Sequence, residues 1–182
     1  MSIAAMVAGV PVRVDEVDAR EDQLRGSRLA SSLPRRDTSE GRQLRRWLTQ
    51  LLVTERVVAA EAATRGLKVD GAPGEDELLP DTTTRLEIGS IAASVLADPM
   101  ARALFVSVTA AVDITDAEVR DYRERNPRRF ADTAQIADHL RGAARRRAFR
   151  LWLDARCAQL VELAPGYEHP GDPRQPDNTH RH

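Results

Sequence analysis

Lysine is nearly missing from this chain: Lys68 is the sole lysine among 27 basic residues, and the bias toward arginine follows genomic base composition before any function. Aromatic residues make up only 4% against 42% apolar residues in all, so the core has to be built from Ala, Leu and Val, which suits closely packed helices. A lone cysteine, Cys157, excludes an internal disulfide and reads as a small apolar position within a helical pattern. No stretch approaches the roughly 18 apolar residues of a membrane span. The start, Met1-Ser2-Ile3-Ala4-Ala5-Met6-Val7, has neither a positive leader nor the apolar run of a signal peptide, which points to the cytoplasm. Charge of one sign is missing too: 27 basic residues meet 28 acidic ones, and no whole-protein field draws the chain to nucleic acid or an anionic membrane.

What is present is mostly helical periodicity in a chain of 182 residues, enough for one domain with a core. Ile3 to Ala8 alternates as a short strand, and Gly9 turns it into a second strand at Val12 to Val14. Asp15, with Asp18 three residues on, caps a first helix reaching Leu29. A long helix from Ser39 to Arg65 places Leu44, Trp47, Leu48, Leu51, Val58, Ala59 and Ala62 on one face, and Gly66 supplies a left-handed cap. Residues 68–77 read as a surface loop. A helix from Thr83 to Leu96 follows, and Asp98-Pro99 restarts it to Ala110, with Leu86, Ile88, Ile91, Val95, Leu104, Phe105 and Val108 inward. Thr115 and Glu118 form a capping box at the next helix, which Asn126-Pro127 ends. The last helix runs from Thr133 to Gln159, and Leu160 to Leu163 can form a strand. The fold class is mainly α, with about five to six helices. Residues 1–163 form the domain, and 164–182 are a tail with four prolines and three histidines.

Catalytic signatures are missing. There is no Gly-x-Ser-x-Gly elbow, phosphate loop, Gly-x-Gly-x-x-Gly fingerprint or His-Glu-x-x-His motif. His139 stands alone on a helix, the place of a surface or packing residue. His169, His180 and His182 are metal-ligand types, but they sit in a segment without a scaffold, and Arg181 opposes a cation. No cofactor or metal is implied. Arg141, Arg145, Arg146, Arg147, Arg150 and Arg156 spread around their helix at 100° per residue and give no nucleic-acid stripe. One charge pair is singled out. Glu55 falls in an apolar helical face and Arg147 in the face made by Leu140, Ala144 and Leu151, so Glu55 either forms a buried ion pair with an arginine of the last helix, Arg147 first among them, or faces solvent where the stripe curves.

Several of these patterns have a shared likeness. The segment from Val112 through Thr115, Glu118, Tyr122 and Asn126-Pro127 to Phe130 resembles the short helix that leads into the parvulin domain of SurA-like and PrsA-like foldases. Val7-Ala8-Gly9-Val10-Pro11-Val12 is similar to their Val-Asn-Gly opening, with Ala8 in place of asparagine. The runs Gln43 to Arg56 and Leu140 to Arg156 resemble their long second and last helices. Only five residues separate Phe130 from Ile136, far too few for a parvulin domain, and no prolyl-isomerase residue can be carried over. The likeness implies a small sheet pairing the N-terminal hairpin with the C-terminal strand and a helical cradle that binds clients without covalent chemistry, and trigger factor shows that such an architecture also works inside cells.

Three function classes stay open. The favoured one is a non-enzymatic, chaperone-like module whose partner is a client protein, with no nucleic acid and no membrane. The others are a small metal-assisted accessory enzyme using His139 or the histidines of the tail, and an adaptor in which the long helices make a homodimer.

Overall fold

Alternating apolar residues at the N-terminus make a hairpin of β1 (Ile3–Val7) and β2 (Val10–Arg13), whose two-residue turn places Ala8 at φ 49° and Gly9 at φ 80°. Both central residues of such a turn need positive φ, a conformation glycine or asparagine adopts more readily than alanine. The computed structural model describes residues 1–175 and 177. Helices α1 (Val14–Arg25), α2 (Ser39–Thr64), α3 (Glu75–Leu78), α4 (Thr82–Ile88), α5 (Ser90–Val95), α6 (Pro99–Thr109), α7 (Asp116–Arg125) and α8 (Thr133–Leu160) follow, and β3 (Val161–Leu163) closes the order. The three strands form one antiparallel sheet in the order β2-β1-β3. The fold is thus mainly α with a small sheet that joins the N-terminal hairpin to a C-terminal strand.

The chain clusters into two compact units, one made of Met1–Ala60 with the chain from Arg156 onward, the other of Glu61–Ala155. One domain followed by a tail was the sequence expectation. The division into units falls inside α2 and α8, and the described residues after β3 group with the first unit. In that unit β1 pairs with β3 in the register Ala5↔Leu163, and Ala164 donates its N–H to the Ala4 carbonyl at 2.9 Å. Ala4, Ala5, Val7 and Val12 of the hairpin, Val17 of α1, and Leu48, Leu51, Val53, Val57 and Val58 of α2 form its buried core. α1 ends at Arg25, earlier than Leu29, because Gly26 takes the cap position. The first turn of α2 is tight: a Cβ at Gly41 would lie 2.0 Å from the Arg35 carbonyl oxygen, so only glycine fits there.

In the second unit Ile88, Ala92, Val95, Leu96, Ala101, Leu104, Phe105, Ile136, Phe149 and Leu153 are buried. Eight α-helices among the described residues exceed the six expected for two local reasons. Residues 75–78 form a single turn, and Gly89 splits the helix expected over residues 83–96. Gly89 sits at φ 92°, ψ 154°, which interrupts the helix between Ile88 and Ser90 and which a side chain rarely adopts. The break also explains Leu86, expected inside but 77% exposed: α4 is short and buries Thr84 and Ile88, and Leu86 lies about 200° from each around the helix. The expected Thr115 cap is in place, its hydroxyl accepting from the Glu118 N–H at 3.2 Å while Glu118 accepts the Thr115 N–H at 2.6 Å. Asp98 caps α6 ahead of Pro99. Gly66 takes φ 63° after α2.

Candidate functional site

Asp81 caps α4 by accepting the Thr84 N–H at 2.8 Å, and Gly89 ends that helix against the arginine-rich face of α8. Arg150 donates to the Glu87 carbonyl at 2.8 Å, and its guanidinium carbon lies 3.9 Å from where a Gly89 Cβ would be. The cleft between α4 and α8 has a volume of about 480 Å³. Ile88, Ala143 and Leu151 supply its apolar wall, Arg146, Arg147 and Arg150 its cations, and Glu87 and Asp154 its acids. Leu151 is 59% exposed, and Arg147 has no hydrogen bond or ion pair within the described residues of its unit. Binding chemistry of two kinds is therefore available: apolar burial, and donation by a guanidinium that is not already committed.

On the other flank of α8 a second cavity of about 560 Å³ is lined by Pro73, Leu78, Phe105, Val106, Arg141, Arg145 and Arg146, among others. Its arginines are spoken for. Arg141 pairs with Asp113 at 2.9 Å and Asp138 at 3.1 Å, and Arg145 donates to the Val112 carbonyl at 3.1 Å. Arg146 reaches the Leu78 carbonyl at 3.3 Å while its Nε is buried without an acceptor, and burial lowers its proton affinity against the pull of Glu87 and Asp81.

His139 is a packing residue in a small aromatic group, its ring centroid 5.6 Å from Tyr122 and 5.1 Å from Phe130. Arg129 lies over both of those rings, 5.9 Å and 5.6 Å from their centroids. Burial first, then the charges of Arg129 and Arg146, lower the His139 pKa below its ordinary 6.5.

The first unit carries a different arrangement. Glu21 is buried at 3% exposure and takes Arg25 at 2.8 Å, Arg45 at 3.1 Å and Arg36 at 3.5 Å. Arg45 also pairs with Asp18 and lies 5.8 Å from the Tyr167 ring centroid. Further along α2, Arg42 and Arg46 hold the Asp177 carboxylate. Sequence reasoning missed both groups. The i, i+4 spacing of Glu21 with Arg25 was a usable signal for the first, whereas Arg42 and Arg46, like charges at the same spacing, gave none for Asp177.

Glu55 is paired, but with Arg20 of α1, whose two terminal nitrogens reach its carboxylate at 2.7 Å and 3.3 Å. The pair is half-buried, at 35% and 36% side-chain exposure, and not the buried pair expected. Helix α1 supplies the cation, which a helical wheel of α2 and α8 alone could not reveal. Arg147 belongs to the second unit and lines the α4–α8 cleft. Cys157 is half-buried, its sulfur 3.9 Å from the Thr54 hydroxyl. His169 is exposed and accepts the Gly171 N–H on Nδ1 at 2.9 Å, whereas His180 and His182 lie outside the described residues. Among the described residues no three His, Cys, Asp or Glu side chains converge as a metal site, and no helix is long and apolar enough to cross a membrane.

Residues 3–40, the hairpin, α1 and the loop to α2, are similar to a family of unknown function, DUF7158. No curated protein and no solved structure matches the chain.

Proposed function

We propose that this protein is a non-catalytic binding module that holds an exposed segment of a client protein in the α4–α8 cleft. The observation that carries the reading is the pairing of Leu151, more than half exposed, with the uncommitted Arg147 in one cleft of about 480 Å³. An extended segment with an apolar side chain and a neighbouring carboxylate complements both. Its apolar part gains about 25 cal/mol per Å² buried, and its acid gains a charge-assisted hydrogen bond. The likeness of the helical patterns to SurA-like and PrsA-like foldases supports the same reading, since those modules bind unfolded chains. Action is then binding and release, without a covalent step.

The test is suppression of aggregation of an unfolded model protein, with a proline-isomerisation assay on the same sample. Wild-type protein should suppress aggregation without accelerating isomerisation, and Leu151→Asp and Arg147→Glu should each weaken suppression while leaving the far-ultraviolet spectrum unchanged. No suppression by the wild type, or full suppression by both variants, would overturn the proposal.

A further inference from the structure

A second site, independent of the α4–α8 cleft, lies on α2 in the first unit. Asp177 is gripped there from two sides. Arg42 donates through Nε at 3.0 Å and Nη2 at 2.7 Å, and Arg46 through Nη1 at 2.7 Å. One carboxylate thus receives three charge-assisted hydrogen bonds, two of them from a single guanidinium fork. The Arg46 side chain is 9% exposed and its Nε has no hydrogen-bond acceptor. Among the described residues the other acids near the pair include Glu168, 3.9 Å from that Nε, and Glu40, beside Arg42. Two neighbouring cations, one of them buried, require an anion, and losing Asp177 without replacement would leave a buried charge poorly compensated.

The segment that delivers Asp177 is accommodated less well than its carboxylate. Pro173 and Arg174 are exposed, and the buried side chain beside them is Gln175, at 3% exposure. Neither the nitrogen nor the oxygen of its amide has a hydrogen-bond partner among the described residues, an unfavourable way to bury polar atoms. Replacing Asp177 by a carboxylate from outside would keep the ion pairs and return the Gln175 amide to water. We infer that Arg42 and Arg46 form a binding site for an acidic segment of a partner protein, for which the stretch from Ala164 to Gln175, with Asp177, is an internal competitor.

The experiment uses the full chain and a fluorescein-labelled hexaglutamate peptide, read by fluorescence anisotropy. Asp177→Asn should bind the peptide about tenfold more tightly than the wild type, because the competing state is weakened. Adding Arg42→Gln to that variant should abolish the gain; Arg42 is half-exposed, so the change spares the core. In the wild type, unlabelled peptide should speed tryptic cleavage after Arg174. Equal affinity of wild type and Asp177→Asn, a gain that survives Arg42→Gln, or cleavage indifferent to peptide would each overturn the inference. Self-association of Asp177→Asn without peptide binding would overturn it as well, giving the site to a second copy.

Discussion

The two units of this protein are held together by different physics. In the first, a carboxylate at 3% exposure gathers three arginines and α2 carries a row of guanidiniums matched to acids of α1 and of the segment after β3. In the second, Phe149 is completely buried, with its ring 5.0 Å from Phe105 and 6.0 Å from Trp152. A composition poor in aromatics has concentrated rings in one unit, while the other sets a buried carboxylate among arginines beside its aliphatic core. Ion pairs are directional and, where exposed, screened by salt, whereas apolar contacts are neither. The two units should therefore answer differently to the same change of solvent.

The largest effect expected is at Phe149. Phe149→Ala should cost about 3–5 kcal/mol in urea unfolding, and the loss should be the same at low and high salt. A loss that shrank with salt would contradict an apolar origin. Next is Glu21→Gln, expected to cost about 2–3 kcal/mol by weakening charge-assisted hydrogen bonds to Arg25 and Arg45. Because Glu21 is buried, salt should screen this cost only weakly, and a cost below about 0.5 kcal/mol would remove the buried carboxylate from the comparison.

The smallest effect is a pH slope. With its folded-state pKa held below the ordinary 6.5, His139 binds a proton less readily in the folded chain than in the unfolded one. Its contribution is complete above that ordinary value, falls as pH drops through it toward the folded-state value, and then levels off. Melting temperatures from about pH 7.5 to about pH 5 should show this decline in the wild type and a shallower one in His139→Gln. Parallel curves would remove His139 from the account.

Local signals in the sequence carried much of the architecture. The Thr115–Glu118 box, Asp98-Pro99 and Gly66 could be read because each depends on a few neighbouring residues, whereas the pairing of the last strand with the first, between residues far apart in the chain, was expected only from the foldase likeness. Gly89 could not, since a glycine inside a helical pattern can be tolerated or can break it, and only its backbone at φ 92° distinguishes the two. Ion-pair partners were the least legible. With arginine so abundant, each buried acid has many eligible cations, and packing alone chose Arg20 for Glu55. The cleft was hidden for a related reason: the α8 arginines do spread around the helix, and it takes the Gly89 break to set Ile88 and Leu151 beside three of them.

The sheet also sets an order of events during synthesis. Glu61–Ala155 is one continuous stretch, while the other unit is assembled from two pieces that leave the ribosome far apart in time. From the emergence of Val7 until Val161–Leu163 arrive to pair with it, one edge of β1 has no strand beside it. At ordinary elongation rates that interval is on the order of ten seconds. For that time the nascent chain presents an open strand edge, a feature prone to pair with a neighbour, and the last strand to be made is the one that closes it.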